Sequence, residues 1–370
     1  MKQLKSFKVL VSVILCSMLV LTGCMQEKTV QVTEQGSTAQ AGAKTTSKGT
    51  LKVHFIDVGQ GDSILLQSSN QVMLIDAGDN QHGNVVVNYL KKQGIKKIDH
   101  LIGTHPDADH IGGLDNVIQS FSIGKLYMPK VQSNTKTFED VLLAAKAKKL
   151  KITAPKVNSE ISIGGAKAKI LGPINTYEDT NNNSIVIRVT HQKKAFLFEG
   201  DAELDEEWDI LNSKANLKSD VIKIGHHGSH TSSMKKYLQA VNPKVAIISC
   251  GAGNKYGHPH VETTSRLNVM KVKTYRTDQV GTIIAISNGK KITYKTAKTS
   301  PTVKETKAPA ATKKPTSTKK PSGIYIGNKN TKKFHTSTCS SLPIAKNRVK
   351  FSSRKQAINS GYKPCKLCNP

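Results

Sequence analysis

The segment from Gly103 to Gly113 constrains this chain more than any other, because it places four metal-ligand side chains within six residues. They follow an apolar run at 99–102 that is typical of a buried strand, and they are His105, Asp107, Asp109 and His110. The glycine pair after them allows the backbone to turn tightly. Carboxylate oxygens and neutral imidazoles suit Zn²⁺ or Mn²⁺. The sequence therefore predicts half of a metal site on the loop at the end of a strand.

The first residues form a different kind of segment. Three lysines precede an apolar run, Val9 to Leu21, that closes in Leu21-Thr22-Gly23-Cys24. This pattern is typical of a bacterial lipoprotein signal peptide over residues 1–23, with lipid attached to Cys24. A plain membrane anchor is the alternative, but the apolar run is short for crossing a bilayer. We expect a bacterial protein held on the extracytoplasmic face of the cell membrane.

The net charge of +29 is unevenly spread along the chain. After residue 290 there are 19 Lys or Arg residues against one acidic residue, Glu305, whereas residues 51–290 hold 30 basic and 23 acidic residues. A basic exported protein is attracted to nucleic acid, teichoic acid or anionic lipid. Solubility or adhesion to an anionic wall explains a lysine-rich tail equally well.

Composition divides the chain into five parts. After the signal peptide we expect a flexible tether at 24–48, a mixed α/β domain at 49–296, a Lys/Pro/Thr-rich linker at 297–322 and a small module at 323–370. In the α/β domain, strands are predicted at 51–56, 63–66, 72–75, 185–189, 195–198, 221–224, 245–248 and 282–286, and helices at 85–92, 138–148, 202–211, 234–240 and 261–269. Cys250 follows an apolar strand and is expected to be an inert buried thiol.

The C-terminal module carries a second set of ligand-type side chains. His335 and Cys339 are separated by 25 residues from the pair Cys365 and Cys368, a spacing typical of a structural zinc site. A disulfide plus one free thiol is the alternative. Because fewer than fifty residues bury little core, zinc would supply folding free energy.

The module also resembles a known one. The segments around Phe334-His335, Cys339, Phe351-Ser352-Ser353-Arg354 and Gly361 to Cys368 are similar to the zinc-binding domain of the Ada DNA-repair protein. In Ada the first ligand is a cysteine that accepts a methyl group, and His335 occupies that position here. Methyl transfer is therefore not implied. The resemblance implies a small, basic α+β module that is ordered by zinc and contacts DNA.

Three further segments supply partners for the first cluster. An apolar strand ends in Gly200-Asp201, another ends in His226-His227, and the loop from Tyr256 contains His258. Taken singly, Asp201 is a plausible helix N-cap and the histidines a polar strand end. Because all of them fall at strand ends of one domain, we expect them to share a site with His105 to His110.

Seven motifs occur in the order found in the metallo-β-lactamase superfamily, and their details resemble its ComEC-like branch. They are Asp57 to Ser63, Leu74 to Gly78, His105 to His110, Asn181 to Ser184, Gly200-Asp201, His226 to Ser229 and Tyr256 to His260. The resemblance covers residues 50–295. It implies a four-layer αββα sandwich with two divalent metal ions, zinc or manganese, at one edge between its sheets.

The resemblance also implies ligand roles. His105 and Asp107 would hold one metal, Asp109 and His110 the other, and Asp201 would bridge them. His227 would complete the second site while His226 contacts a phosphate oxygen, although the reverse order stays open. Asp107 replaces the histidine usual in the superfamily, and the segment 181–184 lacks a further expected histidine, so the first site is richer in oxygen and Mn²⁺ stands beside Zn²⁺.

Phosphodiester hydrolysis uses such a site fully, because two divalent ions activate water and stabilise charge on a phosphoryl group. The predicted catalytic residues are Asp109, His226 and His258, with His258 or a protonated His226 binding phosphate or protonating the leaving oxygen. Lys223 is expected to cover a strand edge. The leading hypothesis is a membrane-anchored nuclease that hydrolyses DNA. The alternatives are a phosphodiesterase for choline-type phosphodiesters of surface polymers, and a lipoprotein that captures DNA for uptake without cutting it.

Overall fold

The structure, a computed structural model, describes residues 49–298, 325–337, 342–343 and 345–365. The predicted signal peptide, Cys24, the tether to residue 48 and most of the predicted linker lie outside these ranges, as do Cys339 and Cys368. Across the ranges described, none of the helices combines the length and the apolar character needed to cross a bilayer.

Residues 49–298 alternate strands with helices. The helices are α1 Gly83–Lys92, α2 Ala108–Ile111, α3 Leu114–Ser120, α4 Lys136–Ala147, α5 Leu204–Asn212, α6 Lys235–Val241, α7 Val261–Val269 and α8 Thr277–Val280. The strands are β1 Leu51–Phe55, β2 Ile64–Ser68, β3 Gln71–Ile75, β4 Lys97–Ile102, β5 Ser122–Tyr127, β6 Ile152–Thr153, β7 Glu160–Ile163, β8 Ala166–Ile170, β9 Ile187–His191, β10 Lys194–Phe198, β11 Val221–Lys223, β12 Val245–Ile248, β13 Lys273–Arg276, β14 Ile283–Ser287 and β15 Ile292–Thr296.

These strands form two sheets. The first has eight strands in the order β15-β14-β1-β2-β3-β4-β5-β6, and the second has seven in the order β13-β12-β11-β10-β9-β8-β7. One apolar core lies between the sheets, a second lies between the first sheet and helices α1, α3 and α4, and a third lies between the second sheet and α5, α6 and α7. The predicted four-layer αββα sandwich is confirmed.

The β2 sequence shows why the layers form. All five of its residues are buried. Successive side chains of a strand point to opposite faces, so Ile64 and Leu66 enter the core between the sheets while Leu65 enters the core beneath the helices. A strand covered on both faces reads as a continuous apolar run rather than an alternating one.

Parallel pairing gives the sandwich two different edges. Strands β3 to β6 pair in parallel in the first sheet, and β10 to β13 do so in the second. The carboxyl ends of β4, β10, β11 and β12 therefore gather at one edge, which we call the site edge. The hydrogen bond from the Ile185 amide to the Thr104 carbonyl joins the two sheets there.

The C-terminal module is a small α+β unit. Its elements are β16 Tyr325–Asn328, β17 Lys333–Thr336, β18 Arg348–Phe351, α9 Arg354–Asn359 and β19 Lys363–Pro364, with strand order β18-β16-β17-β19. Its buried core holds few side chains, namely Phe334, Phe351, Ala357 and Tyr362. The predicted small α+β fold agrees with this arrangement.

Candidate metal centre

The predicted metal ligands meet at the site edge. His105, Asp107, Asp109 and His110 follow β4, Asp201 follows β10 after a tight turn, and His227 follows β11 in the short turn at Gly225–Gly228. A Cβ atom on Gly112 or Gly113 would collide with the backbone of Asn80 or Ala77. The glycine pair is therefore required by close packing of the loop that carries the first cluster.

Four side chains form the centre of this site. Nε2 of His110 lies 3.1 Å from Oδ1 of Asp201 and 3.2 Å from Nε2 of His227. Nε2 of His227 lies 3.1 Å from Oδ2 of Asp109 and 3.4 Å from Oδ2 of Asp201. Two imidazole nitrogens and two carboxylates thus converge on one buried point.

The donor set fits a divalent cation. Nε2 of His105 is buried and makes no hydrogen bond within the part of the chain that the structure describes. A buried polar atom without a partner is costly, and a metal ion would satisfy it. Imidazole nitrogens with carboxylate oxygens are the donors that zinc and manganese accept.

Charge at this point is concentrated. Burial opposes a charge on His110 and His227, but the carboxylates around them outweigh burial: they hold the pKa of His110 well above its usual value and raise the pKa of His227 to about 10. Burial likewise opposes ionisation of Asp201, while His110 and His227 hold its pKa well below the usual value. The protein alone therefore balances its carboxylates with imidazole protons, which a divalent cation would displace.

The second nitrogen of each central histidine is held by a partner. Nδ1 of His110 lies 2.9 Å from Oδ2 of Asp76, and Nδ1 of His227 lies 3.0 Å from the Ser249 carbonyl oxygen. With a cation bound, donation from Nδ1 would leave the lone pair of Nε2 for the ion, the usual arrangement of a metal-bound histidine. Asp76 is itself fixed by hydrogen bonds from the amide and hydroxyl of Thr104 at 2.8 and 2.7 Å.

His105 and Asp107 lie to one side of the centre. The His105 ring packs 4.2 Å from the His110 ring, and its Nε2 lies 3.9 Å from Oδ2 of Asp107. Burial, followed by the neighbouring His110, lowers the pKa of His105 to about 4, so His105 is a neutral imidazole. The Asp107 side chain is 42% exposed. These two residues are placed to hold a metal ion nearer to solvent.

The segment 181–184 supports the site instead of adding a ligand. The Ser184 hydroxyl lies 3.3 Å from Nδ1 of His105 and accepts a hydrogen bond from the Asp201 amide at 3.0 Å. The Asn182 side-chain oxygen accepts from the amides of Glu203 and Glu206 at the start of α5. This segment thus lacks the expected histidine and instead positions His105, Asp201 and the start of α5.

The prediction that Lys223 covers a strand edge is wrong. Strand β11 lies between β10 and β12, and Lys223 is fully buried with Nζ 2.7 Å from Oδ2 of Asp62. An isolated buried ammonium would be very costly, so this ion pair is required. Asp62 also lies 3.5 Å from Nδ1 of His227 and within 4.8 Å of the central donors. Because Lys223 already balances its charge, Asp62 is suited to positioning His227.

His226 and His258 border the centre on its solvent side. Nδ1 of His226 lies 3.0 Å from Oε1 of Glu203, and its Nε2 lies 3.8 Å from Oδ2 of Asp201. The His258 ring lies 5.3 Å from the His226 ring and 6.1 Å from the His227 ring. His226 and His227 adopt left-handed backbone conformations, with φ of 47° and 53°. Such strain in non-glycine residues is typical of functional sites.

All the predicted residues of this site lie near its centre, and sequence reasoning assigned no role to Asp62, Asp76 or Glu203. Asp76 directly follows strand β3, and Asp201 follows β10 after a turn. A carboxylate just after an apolar strand is therefore a feature of the sequence that indicates Asp76. The contribution of Asp62 depends on Lys223, which is distant in sequence. Cys250 is buried, and burial raises the pKa of its thiol to about 12, as expected of an inert cysteine.

In the C-terminal module, the structure brings two of the four predicted zinc ligands to neighbouring strands. His335 is buried in β17, and Cys365 is buried directly after β19. The Cys365 amide donates to the Phe334 carbonyl at 2.8 Å, which joins the two segments. The zinc site of the module stays a prediction, since its other two ligands lie outside the described residues.

Residues 56–252 match the family model of the metallo-beta-lactamase superfamily, and this range is more than half of the chain. The chain belongs to that superfamily. Residues 316–370 match the model of the metal binding domain of Ada. Both resemblances noted in the sequence are confirmed.

The chain is also similar to parts of longer curated proteins. The chain is 34% identical over 251 residues to ComE operon protein 3 of Bacillus subtilis, covering 63% of this chain and 32% of that protein. It is 30% identical over 230 residues to competence protein ComA of Neisseria gonorrhoeae, covering 61% and 31%. The chain thus spans about a third of the length of these relatives. A solved structure, the metallo-beta-lactamase fold protein YhfI from Bacillus subtilis, aligns with a TM-score of 0.41 and 14% identity over 61% of this chain and 95% of that one.

Proposed function

We propose that the chain is an exported, membrane-anchored, metal-dependent phosphodiesterase whose substrate is DNA. The observation that carries this proposal is the convergence of His110, His227, Asp109 and Asp201 on one buried point, with both Nε2 atoms directed inward. Two divalent ions, when bound, would activate a water molecule and stabilise the charge that grows on a phosphoryl group.

The chain's own residues divide the work. His105 and Asp107 would hold the more exposed ion, Asp109, His110 and His227 the deeper one, and Asp201 would bridge them. Asp76 and the Ser249 carbonyl fix the orientation of the central imidazoles. Such partners of ligands keep the site in place before substrate arrives.

His226 is the better candidate for the proton donor to the leaving oxygen. Burial opposes its protonation, but Asp201 and Glu203 outweigh burial and raise its pKa above the usual value. Burial, followed by the imidazoles of His226 and His227, lowers the pKa of His258 to about 4. His258 is therefore neutral near pH 7 and is suited to donating one hydrogen bond to a phosphate oxygen.

DNA is favoured as the substrate by features outside the site. One of the relatives is named competence protein ComA, and the residues after 290 of this chain carry 19 basic side chains against one acidic one. The module that matches the Ada domain would be ordered by zinc on His335, Cys339, Cys365 and Cys368. A basic tail of this kind raises the local concentration of a polyanion near the enzyme.

The test is a cleavage assay on plasmid and single-stranded DNA with added Mn²⁺ or Zn²⁺. Cleavage is expected, and Asp201→Ala should reduce it by on the order of a thousandfold, because the carboxylate proposed to hold both ions is removed and with it their stabilisation of the developing charge. Asp140→Ala, at a surface carboxylate of α4, is the matched control and should retain activity. DNA that is retained but never cut would contradict the proposal and favour a capture protein. Cleavage of a small chromogenic phosphodiester alone would favour the choline-type substrates.

A further inference from the structure

The edge of the sandwich opposite the site edge is strongly basic. Helices return antiparallel to the parallel strands, so their carboxyl ends lie at this opposite edge. Lys91 and Lys92 lie in the last turn of α1, Lys148 and Lys149 follow α4, and Lys214 follows α5. All five are exposed. A favourable interaction with the helix dipole accounts for lysines at these positions.

The dipole does not account for lysines at strand starts. Lys97 begins β4, Lys218 and Lys244 precede β11 and β12, and Lys273 begins β13. All four are exposed at the same edge as the helix ends. A cavity of about 430 Å³, lined by Lys218, Lys244 and Arg188 among others, opens there.

The turns between antiparallel strands continue the pattern. Lys193 lies in the β9–β10 turn, and Lys290 and Lys291 lie in the β14–β15 turn; all three are exposed. The Lys193 amide donates to the Gly289 carbonyl at 3.1 Å, so the two turns are joined across the two sheets. We call this surface the basic edge. It is formed by both sheets.

Acidic side chains at the basic edge are already paired. Asp99 contacts Nζ of Lys97 at 2.8 Å, and Asp220 contacts Nζ of Lys194 at 3.0 Å. Both carboxylates are half-buried, so they offer little negative charge to an approaching partner. The exposed charge of the edge is therefore positive, whereas the site edge carries the carboxylates of the metal centre.

We propose that the basic edge docks on anionic phospholipid headgroups and turns the site edge away from the membrane. The chain enters the sandwich here, because Leu51, the first residue of β1, pairs with Ser287 beside the β14–β15 turn. A tether from a lipidated Cys24 would thus lead to the surface that carries the lysines. This inference rests on the proposed membrane anchoring and is independent of the proposed hydrolysis.

The geometry favours lipid over DNA at this surface. Strand β10 runs from Lys194 at the basic edge to Phe198, a span of about 13 Å, and Asp201 lies beyond its far end. Nucleic acid bound along the basic edge would keep its phosphodiesters that far from the metal centre. A membrane at the basic edge leaves the metal centre open to polymer arriving from outside the cell.

The test measures partition onto vesicles of phosphatidylglycerol and phosphatidylcholine in equal parts, with pure phosphatidylcholine as reference. The chain from residue 24 onward is used with Cys24→Ser, so that neither the signal peptide nor an acyl chain contributes. The variant Lys193→Gln/Lys290→Gln/Lys291→Gln removes three charges from the basic edge. The matched control Lys130→Gln/Lys136→Gln/Lys235→Gln removes three exposed lysines on the site side, and the basic tail is the same in both.

Each lysine near an anionic surface contributes about fivefold in binding, so the basic-edge variant should lose on the order of a hundredfold in partition to the anionic vesicles. The control should lose less than a tenth of that. Equal losses in the two variants, or none in either, would overturn the proposal. So would a basic-edge variant that loses DNA binding while keeping vesicle binding. Unchanged hydrolysis of a soluble phosphodiester by both variants would show that they fold. A wild-type chain that hydrolyses no phosphodiester would contradict the proposed function, while the partition onto vesicles would still decide the docking proposal.

Discussion

The sandwich and the C-terminal module both present candidate metal sites, but they hold their ligands by different means. In the sandwich, three apolar cores surround the strands whose carboxyl ends are followed by His110, Asp201 and His227. In the module, His335 and Cys365 lie on strands that share a core of only a few side chains. A large core fixes ligands before metal arrives, whereas a small unit needs the metal to fold.

The largest expected difference between the two regions follows from removing zinc. Chelation, or Cys365→Ser, should unfold the module, because a structural zinc supplies on the order of 10 kcal/mol of folding free energy. The sandwich should stay folded. Proteolysis of the C-terminal residues reports on the module, and fluorescence of Trp208, the single tryptophan of the chain, reports on the sandwich. Cys250→Ala is the control. If the module resists proteolysis without metal, the two regions do not differ in their need for metal to fold.

A second prediction concerns the ion pair beneath the site. Lys223→Met removes the ammonium that pairs with the buried Asp62 carboxylate and leaves Asp62 with the His227 imidazole 3.5 Å away, which should destabilise the sandwich by about 3–5 kcal/mol. Adding Asp62→Asn should restore much of that loss, since the two residues are coupled. Urea unfolding followed by Trp208 fluorescence measures both. If Lys223→Met is as stable as the wild-type chain, Lys223 does not balance the charge of Asp62.

The two regions should also respond to pH in opposite directions. Burial raises the pKa of Glu206 to about 8, although Tyr177 and the Ile174 amide oppose that shift. Its contribution to stability is therefore full below the unfolded value of 4.5 and is lost as the pH rises through about 8. The module should instead lose stability as the pH falls, because its thiolates and imidazole must shed zinc to accept protons.

Between pH 5 and 9 the free energy of unfolding of the sandwich should change by on the order of 3 kcal/mol less in Glu206→Gln than in the wild-type chain. Thermal unfolding of the metal-free chain, followed through Trp208, measures this change. Glu139→Gln, at an exposed carboxylate in the first turn of α4, should leave the pH dependence intact. Parallel pH profiles for the wild-type chain and Glu206→Gln would exclude Glu206 as the source.

The smallest expected effect concerns the hydrogen-bond partner of a proposed ligand. Asp76→Asn keeps the size of the side chain and tolerates the left-handed backbone there, with φ of 57°, but it weakens the orientation of His110. Metal affinity of the sandwich should fall by about tenfold to a hundredfold, while its melting without metal changes little. Isothermal titration with Mn²⁺ is the measurement. Unchanged affinity would mean that Asp76 does not orient a ligand.

Local patterns predicted a mixed α/β domain and the location of the site at strand ends, whereas the four-layer sandwich was predicted from the resemblance to the metallo-β-lactamase superfamily. The strand starting at Ala195 and the helix from Val261 to Val269 follow from apolar runs and helical spacing. The strands at Glu160–Ile163 and Ala166–Ile170 were not predicted, although their alternating burial shows a period of two. Polar side chains on their outer faces, Glu160 and Ser162 in the first and Lys167 and Lys169 in the second, reduce the apolar signal there.

The residues of the site that the sequence did not predict were missed for a different reason. The pairing of Lys223 with Asp62 depends on a central strand and a loop that only the folded chain brings together. A lysine in a short apolar strand is ordinarily expected at an edge, and no neighbouring residue in the sequence indicates its partner. Glu203 likewise contacts His226 across two strand ends. Long-range electrostatic partners are thus the part of this site that local patterns do not contain.

The left-handed backbone at His226 and His227 bears on what a substitution at either position would do. Each non-glycine residue in that region costs about 1 kcal/mol or more, a strain that glycine would relieve. Glycine at either position would relieve that strain but would remove an imidazole from the candidate metal centre, so a change there sets backbone stability against the proposed chemistry.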